Sequence, residues 1–497
     1  MTFQTKNSVL VMIEESTEGV YVPPSGATQY LPIRTGFSLT NEIEQLENDA
    51  LTGSIGVAKP AVGLENPTSE IPLYLHGSGT EGVAPDIAAP LKGALGTQTT
   101  NSTEYNTIVG STTSVVKVDS GEGAFFYRGQ SLLIKDSTNG YKIRPVLSIS
   151  SDDLTLGFQV SAAPGTGVNL GKAISWIPSS TTPTYSVTAY QGNGALIEAA
   201  AGMRVSGFSI SATAGQFVEF NPSLSGIKYF NNPITITSTT NALDFNDGGA
   251  KSITLEQKTY QDPHALAAEL QSKMDAASSD TITVVYNDTG VSSGKFTVTT
   301  NGASLSINWA TTVNTCGAKF GFTADDSAAL TYTSDNALTL TSPYTPSFNS
   351  EKTLTAKDQG ILLGDADDLI CVDLDTIEIS CENTINFANS ICSETGRGAS
   401  AITGRSFEIT LAGEVKAYDG DYFKKLRTGE NTPFFLVLGV RESAGGNWVA
   451  GKNMTVYVPT AVVTSLTTVD TNDLVYFNMT LRPYVDSGLG EFYINQV

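Results

Sequence analysis

The sequence predicts a mainly β protein in which one antiparallel β unit occurs twice. Glycine is abundant, with 47 residues, and only 16% of the chain is charged, as in a β-rich fold with many turns. A repeat of this kind indicates two copies of one structural unit, which suits a building block better than an enzyme. The corresponding segments are 38–41 (SLTN) and 380–383 (SCEN), 51–53 (LTG) and 394–396 (ETG), 70–73 (EIPL) and 408–411 (EITL), and helical stretches at 86–95 and 421–427.

Length and charge limit the possible functions. A chain of 497 residues has room for about three domains. Its formal net charge is −22, from 50 acidic and 28 basic side chains, and such a body repels phosphate. Sequence-specific nucleic-acid binding is therefore disfavoured. The acidity serves either solubility alone or a surface that must not adhere to nucleic acid passing nearby.

The cysteines and histidines do not indicate a metal site. The four cysteines, Cys316, Cys371, Cys381 and Cys392, form no C-x-x-C pair, and the chain has two histidines. Buried free thiols are favoured over a disulfide between Cys371 and Cys381. No signal peptide and no apolar run of about 18 residues is present, so we expect folding in a cytoplasm.

The first copy is predicted to be interrupted. Residues 1–35 resemble an extended N-terminal arm, and residues 44–68 form a long acidic loop of the kind that makes contacts. We assign this unit to residues 36–100 and 183–231. Its strands are predicted at 36–43, 70–75, 185–190, 204–212 and 220–224, with a helix opened near Asp86 and closed by Gly96.

Two further units are inserted. Residues 101–182 read as a small β domain with Gly-rich turns between its strands. Residues 232–347 read as a small α/β domain, because Asp262 and Pro263 open a helix whose Leu266, Leu270 and Met274 form one apolar stripe. The predicted strands are 114–118, 131–134, 141–146, 154–160 and 173–177 in the first insertion, and 234–237, 253–255, 281–286 and 295–299 in the second.

Residues 348–497 are assigned to the second copy with a C-terminal tail. Strands are predicted at 407–411 and 434–440, with the 421–427 helix between them, and the segments 453–458 and 474–482 are predicted to form a final pair. In the last strand, alternate residues give one dry face and one wet face.

Several segments together resemble a known family. An apolar first strand ends in acids at 9–15, an acidic loop passes through 51–53, a hairpin leads into 202–208 (GMRVSGF), and the chain closes on 493–495 (YIN). In order and spacing these resemble the major tail tube proteins of long, non-contractile-tailed (siphovirus) bacteriophages, in particular the duplicated type. The resemblance covers roughly 1–100, 183–231 and 350–497. Residues 232–345 resemble a small α/β insertion of phage tail and flagellar-type surface proteins.

The resemblance implies a fold and an assembly. Each module is a tail-tube-type β-sandwich with a short flanking helix, and modules join edge to edge into a ring. Rings stack into a hollow virion tube through which double-stranded DNA is ejected. Two modules per chain imply a homotrimer with pseudo-sixfold symmetry, with a hexamer as the fallback, and insertions on the outside.

The resemblance also implies partners and a location. The partners are further copies of the chain, tail tip and tail terminator proteins, and the tape measure protein during assembly in the host bacterial cytoplasm. The protein is then a late virion tail component with no cofactor. The candidate contacts between subunits or rings are Glu44, Glu47, Asp49, Leu51, Lys59, Val62, Leu64, Glu491, Phe492 and Tyr493.

No catalytic constellation is predicted. His76 lies in a Gly-Ser turn, His264 lies in a helical first turn, and residues 365–368 (DADD) lack the glycine and glutamate of a calcium loop. We therefore expect no enzyme and no metal. The alternative function is a β-rich phage adhesin or decoration protein that binds host-surface glycans through its insertions, and a secreted polysaccharide hydrolase is least favoured.

Overall fold

The described part of the protein is mainly β, which confirms the predicted class. The computed structural model describes residues 8–49, 59–192, 196–348, 353–364, 374–413, 421–471, 474–486 and 490–497. Its strand ladders are antiparallel, and its α-helices are α1 (Ala88–Leu95), α2 (Pro263–Ala277) and α3 (Asp421–Thr428). Both short helices of the repeat were predicted, as was α2.

The strands fall into five runs along the chain. The first run is β1 (Val9–Glu14), β2 (Tyr30–Leu31), β3 (Ser38–Leu46), β4 (Ala61–Glu70), β5 (Leu73–Tyr74) and β6 (Gly96–Asn101). The second is β7 (Tyr105–Asn106), β8 (Val115–Lys117), β9 (Ser131–Lys135), β10 (Lys142–Ser150), β11 (Asp153–Leu156) and β12 (Asn169–Leu170). The third is β13 (Ala173–Pro178), β14 (Tyr185–Gln191), β15 (Leu196–Thr213), β16 (Glu219–Ser225) and β17 (Lys228–Asn231).

The remaining strands follow residue 231. The fourth run is β18 (Ile234–Thr235), β19 (Ala242–Asn246), β20 (Ala250–Thr254), β21 (Thr259–Tyr260), β22 (Ile282–Asn287), β23 (Lys295–Thr300), β24 (Leu305–Asn308), β25 (Asp326–Ala329) and β26 (Thr331–Thr333). The fifth is β27 (Gly360–Leu363), β28 (Thr376–Asn389), β29 (Arg397–Gly413), β30 (Phe434–Leu438), β31 (Met454–Val458), β32 (Ala461–Thr471), β33 (Leu474–Pro483) and β34 (Tyr493–Gln496).

The largest sheet, called here the large sheet, contains two four-stranded units with the same strand order. The first unit runs β3, β4 with its continuation β5, β16 and β15, and the second runs β28, β29, β33 and β32. The units join where β15 pairs with β28, from Gly207 opposite Glu382 to Thr213 opposite Thr376. One sheet therefore passes without interruption from the first unit to the second.

The two units also share register. Ser38 lies opposite Glu70 in the first hairpin, as Ser380 lies opposite Glu408 in the second. The β15–β16 ladder shifts between Val205 and Gly207, and the β32–β33 ladder shifts between Val463 and Ser465. A β-bulge bends its strand locally, so both units bend at the corresponding place.

A second sheet covers one face of the large sheet. Its strand order is β27, β30, β31, β34, β13 and β6. The largest hydrophobic core lies between the two sheets and includes Ile210 and Ile379 from the large sheet and Trp176, Val456 and Ile494 from the second. This is a sandwich, in which alternate residues of each strand face the shared core.

Helix α1 approaches the large sheet closely at a glycine. Leu91, Ala94 and Leu95 are fully buried against the core. A Cβ atom added at Gly93 would lie 2.6 Å from Val205 Cγ2 and 2.9 Å from Tyr185 Cε2. Only glycine lets the helix axis lie this close to the sheet.

The inserted β unit is shorter than predicted. Strands β7 to β12 form their own six-stranded sheet around Val116, Leu132 and Leu154. Strands β6 and β13, which the sequence placed at the edges of this insertion, pair with each other in the second sheet. The insertion therefore spans residues 102–172, because its flanking strands belong to the sandwich.

The α/β insertion agrees with its predicted local structure. The Asp262 side chain accepts a hydrogen bond from the Ala265 amide at 2.7 Å, with Pro263 in the first turn of α2. Leu266, Leu270 and Met274 are fully buried in a separate core. The helix was predictable because its N-cap and its apolar periodicity depend only on residues within the segment itself.

Three predictions about the chain path were wrong. Residues 8–35 form no extended arm, because β1 pairs with β14 from Val9 to Glu14 and β2 pairs with β1. The predicted 44–68 loop is strand at both of its ends, because β3 continues to Leu46 and β4 begins at Ala61, while residues 50–58 lie outside the described residues. Strands β31 and β33 do not pair, since they lie in different sheets.

The α1 contact gives a testable prediction. We expect Gly93→Leu to lower the free energy of unfolding by about 1–3 kcal/mol, because the new side chain must displace Val205 and Tyr185. Gly26→Ala is the matched control, since Gly26 has an extended φ of −166° and nothing within 4 Å of an added Cβ. Urea unfolding of both variants measures the difference, and equal stability would contradict the close approach.

Candidate functional site: a polar sheet face and two open sheet edges

The face of the large sheet that points away from the core is polar and acidic. In β28, Ile377, Ile379 and Cys381 face the core, so Glu378 and Glu382 point outward and are exposed. The outward side chains of both units, called here the polar face, include Ser38, Glu70, Ser209, Ser211, Glu219, Asn221, Ser223, Glu378, Ser380, Glu382, Ser406, Glu408, Thr410, Thr480 and Arg482.

The glutamates of the polar face are separated by hydroxyl residues. Glu378 lies between Ser211 and Thr410, and Glu408 lies opposite Ser380. Like charges directly opposite each other destabilise a sheet, and this arrangement avoids them. Two carboxylates have partners, because Glu70 accepts from Ser223 Oγ at 2.9 Å and Glu219 pairs with Arg34 at 2.8 Å.

The β insertion lies on the opposite side of the sandwich. Phe435, Tyr457 and Tyr493 point away from the main core and pack with Leu133 and Phe158 of the insertion. Hydrogen bonds support the contact, including Ser131 Oγ to Thr455 Oγ1 at 2.7 Å. The polar face is thus left uncovered by this insertion.

Side chains reinforce the junction between the two units. Asn383 donates through Nδ2 to the carbonyls of Ala94 at 3.1 Å and Val205 at 3.0 Å, and its Oδ1 accepts from Arg405 Nε at 2.8 Å. Arg405 also donates to the carbonyls of Ala94 and Ser179. The second unit thereby supplies a cation and an amide to the C-terminal end of α1, where carbonyls lack helical partners.

Burial tunes the ionisable groups around Arg405. Burial lowers the pKa of Arg405, and burial raises the pKa of the Cys381 thiol to about 12, so Cys381 stays a neutral thiol. Burial also raises the pKa of Glu491, and the nearby Arg405 opposes that shift. Cys316 is likewise a buried free thiol and Cys392 is exposed, while Cys371 lies outside the described residues.

The C-terminal strand closes the second sheet. Strand β34 pairs with β13 on one side and with β31 on the other, so it joins the two units a second time. Phe492 is fully buried and its ring stacks on Phe407 at 4.6 Å. Phe492 and Tyr493 are therefore internal to one chain, and we drop both from the proposed contact surface.

Of the other predicted contact residues, Glu491 lies just before β34 near Arg405, and the rest belong to one protruding hairpin. Glu44, Glu47, Asp49 and Lys59 are exposed, and Val62 is 70% exposed. Leu64 is half-buried against Gly396, which lies at the end of the β28–β29 hairpin. The structure thus brings these residues together at the ends of two adjacent hairpins, and Leu51 lies outside the described residues.

Each of the two repeated units leaves one of its edge strands open within the described residues. Strand β3 pairs with β4 alone, and β32 pairs with β33 alone. An edge strand presents unpaired N–H and C=O groups, which form a template for another strand. The chain thus carries complementary open edges at opposite ends of its two units.

Comparison with known proteins identifies the family. Residues 5–256, about half of the 497-residue chain, match the model of the phage tail tube protein family. The chain belongs to the phage tail tube protein family. This family is structural and non-enzymatic, so the tail tube chain is a virion tail component that assembles with itself into a tube.

Other comparisons add little to the tail tube assignment. A chain from the virion of a native gene transfer agent particle is 17% identical, over 26% of this chain and 92% of that chain, with a TM-score of 0.19. No curated protein matches. In the described residues no helix is long and apolar enough to cross a membrane, and no cluster of metal-ligand side chains occurs.

Sequence reasoning missed the polar face and the Asn383–Arg405 contact. Glu70 and Glu408 already occupy equal positions in the repeated motif, which was a signal that both face the same way. Asn383 and Arg405 gave no signal, because their partner Ala94 is distant in sequence.

The junction gives a second prediction. Arg405→Ala removes donors from buried carbonyls, and we expect it to lower the free energy of unfolding by about 2–3 kcal/mol. Arg482→Ala is the control, because Arg482 is exposed on the polar face and should change stability by less than about 0.5 kcal/mol. Urea unfolding followed by far-UV circular dichroism tests the pair. A similar effect of both substitutions would argue against a stabilising role of Arg405.

Proposed function

We propose that this tail tube chain is the major tail tube subunit of a long, non-contractile (siphovirus) tail. Each chain contributes two tube modules, and three chains close a ring with pseudo-sixfold symmetry. The observation that carries the proposal is the β15–β28 ladder, because it joins two units of equal strand order edge to edge. Repeating that contact between chains would pair β32 of one chain with β3 of the next and close a ring of units.

The internal ladder supplies the register of the proposed contact between chains. In β15, Ser209 lies opposite Ser380, two residues beyond the bulge at Val205 and Gly207. The corresponding residue of β32 is Thr467, two beyond the bulge that ends at Ser465, and the counterpart of Ser380 is Ser38. We therefore expect Thr467 of one chain opposite Ser38 of the next.

We propose that the polar face lines the channel of the tube. Closing the large sheet around an axis puts its uncovered face inside and the β insertion outside. Glutamates separated by hydroxyls offer phosphate no array of cations, so double-stranded DNA passes without being held. The residual charge repulsion is screened beyond about 10 Å at 0.1 M salt.

The two axial ends of a ring are proposed to meet through unlike surfaces. One end carries the hairpin residues Glu44, Glu47 and Asp49, with exposed Val62. The opposite end, beyond the β15–β16 turn, has a recess of about 750 Å³. The recess is lined by Phe217, Thr353, Leu354, Thr355, Lys357, Asp358, Gly439, Val440, Arg441, Ser443 and Ala444.

Arg441 is paired with Asp358 at 3.5 Å, so the excess positive charge of the recess is that of Lys357, and its attraction to the acidic hairpin supports head-to-tail stacking. Heterologous contacts along an axis extend into a filament. At the ends of that filament we propose tail tip and tail terminator proteins, with the tape measure protein present during assembly in the host cytoplasm and the tube serving genome ejection.

Disulfide trapping tests the proposed register. In a Cys371→Ser/Cys392→Ser background, we expect Ser38→Cys with Thr467→Cys to give covalent dimers and trimers under oxidation, because the two positions face each other across chains. Non-reducing electrophoresis and mass measurement of the largest species give the answer. Ser209→Cys with Ser380→Cys is the internal control, which crosslinks within one chain.

Two outcomes would contradict the ring. If oxidised, assembled protein with both cysteines still ran as monomers, β32 of one chain would not pair with β3 of the next in the proposed register. Covalent oligomers larger than three chains, up to six, would show that the ring is a hexamer of chains and not a trimer. The single variants Ser38→Cys and Thr467→Cys show the background from random collision.

Chemical access tests the orientation of the polar face. In the same background, Ser406→Cys should react with a small maleimide in both monomers and tubes, but with a large polyethylene glycol maleimide only in monomers. Ser137→Cys, exposed between β9 and β10 of the insertion, should react with both reagents in both states. Equal labelling of Ser406→Cys tubes by the large reagent would place the polar face outside.

A further inference from the structure

The internal junction has a side-chain component besides its ladder. Asn383 lies one residue beyond the ladder that begins at Glu382, and its Nδ2 reaches the Val205 carbonyl at the bulge of β15. The same Nδ2 reaches the Ala94 carbonyl in the last turn of α1. Asn383 therefore recognises a bulge and a helix end that lie side by side, and it is 6% exposed.

The first unit carries the same amide at the same place. Asn41 follows Thr40 in β3 as Asn383 follows Glu382 in β28, and the two hairpins share register. The residue opposite Asn383 is Arg405, whereas the residue opposite Asn41 is Pro67, which has no side-chain donor. The chain thus repeats the amide at its open edge without repeating the cation.

The hydrogen-bonding capacity of Asn41 is incompletely used within the chain. Its Nδ2 contacts Glu65 Oε2 at 3.4 Å, which is long for a hydrogen bond, and its Oδ1 is buried with no partner within the described residues. The Nδ2 amine has two N–H groups and the long contact to Glu65 uses one, so one donor is left for an acceptor on a neighbouring strand; the unpartnered Oδ1 is itself an acceptor and is not part of this argument.

The other open edge presents the matching acceptors. The bulge of β32 leaves Val463 in the position that Val205 has in β15. Helix α3 packs on β32 as α1 packs on β15. A strand added to β32 therefore meets the Val463 carbonyl at the position that the Val205 carbonyl has in β15.

We propose that Asn41 is a contact residue for a second copy of this chain. Its Nδ2 donates to the Val463 carbonyl in the neighbouring chain, as Asn383 Nδ2 donates to the Val205 carbonyl within the chain. This inference rests on the proposed function and adds a residue that positions the neighbour in register. Since Pro67 supplies no cation, the contact between chains has fewer charge-assisted hydrogen bonds than the contact within a chain.

Two substitutions test Asn41. Asn41→Ala removes the donor, and Asn41→Asp keeps the shape but turns a carboxylate toward carbonyl oxygens. We expect each to raise the dissociation constant of a single contact between chains about tenfold, the effect of one lost hydrogen bond of about 1.4 kcal/mol, and a ring loses this amount at each of its contacts. Sedimentation velocity across a concentration series measures the constant, and the yield of the Ser38→Cys/Thr467→Cys crosslink gives a second readout.

The controls separate assembly from folding. Thr40→Ala, next to Asn41 but on the polar face, should assemble like the unsubstituted chain. The unfolding temperature of the monomer should be nearly unchanged for the Asn41→Ala variant, which loses only the long contact to Glu65, whereas Asn383→Ala should lower it. If both Asn41 variants formed rings at the same protein concentration as the unsubstituted chain, the proposed Asn41 contact would be wrong. Absence of rings from the unsubstituted chain would overturn the proposed function, and the contact with it.

Discussion

The structure depends on how it deals with the open edge of a β-sheet. Each four-stranded unit has two edges, and unpaired edge groups demand a partner. The chain satisfies one edge of each unit internally, through the β15–β28 ladder, and leaves β3 and β32 open. Joining the units in one polypeptide removes the translational and rotational cost of that contact, because the second unit is always at high effective concentration. Under the proposed assembly, half of the ring contacts are then made during folding.

The internal and external contacts face different physical demands. A contact made during folding tolerates a buried guanidinium, because Arg405 is surrounded by fixed carbonyl acceptors and Asn383 before any partner arrives. At an exposed edge the same guanidinium would first have to be stripped of water on association, at a cost of several kcal/mol. Pro67 at that position avoids the desolvation cost. Desolvating the neutral amide of Asn41 costs less than desolvating a guanidinium. An open edge can therefore keep the asparagine of the Asn383–Arg405 pair without its arginine.

The limits of sequence reasoning follow from the range of each interaction. The cap of α2 at Asp262 was accessible, because it depends on residues near in sequence, whereas the pairing of β3 with β4 was missed because 44–68 was predicted to be a loop. The strand β6, with the sequence GTQTTN, has no apolar alternation and reads as a seam, because its ladder partner is supplied from across the β insertion. The burial of Phe492 was also beyond reach, since a terminal segment with exposed neighbours looks like a tail until the gap between β13 and β31 is known.

Strand β34 belongs to the sheet that separates the β insertion from the polar face. It completes the second sheet between β13 and β31, so the two units are fastened on both layers of the sandwich. With both layers continuous, the β insertion adds its own core through Phe158 and Leu133 on the far side. The hydrogen-bonded second sheet lies between the core of the β insertion and the main core, so a change of packing in the insertion does not act directly on the main core. The orientation of Glu378, Glu382 and Glu408 is set instead by strand alternation in β28 and β29, which depends on the main core alone.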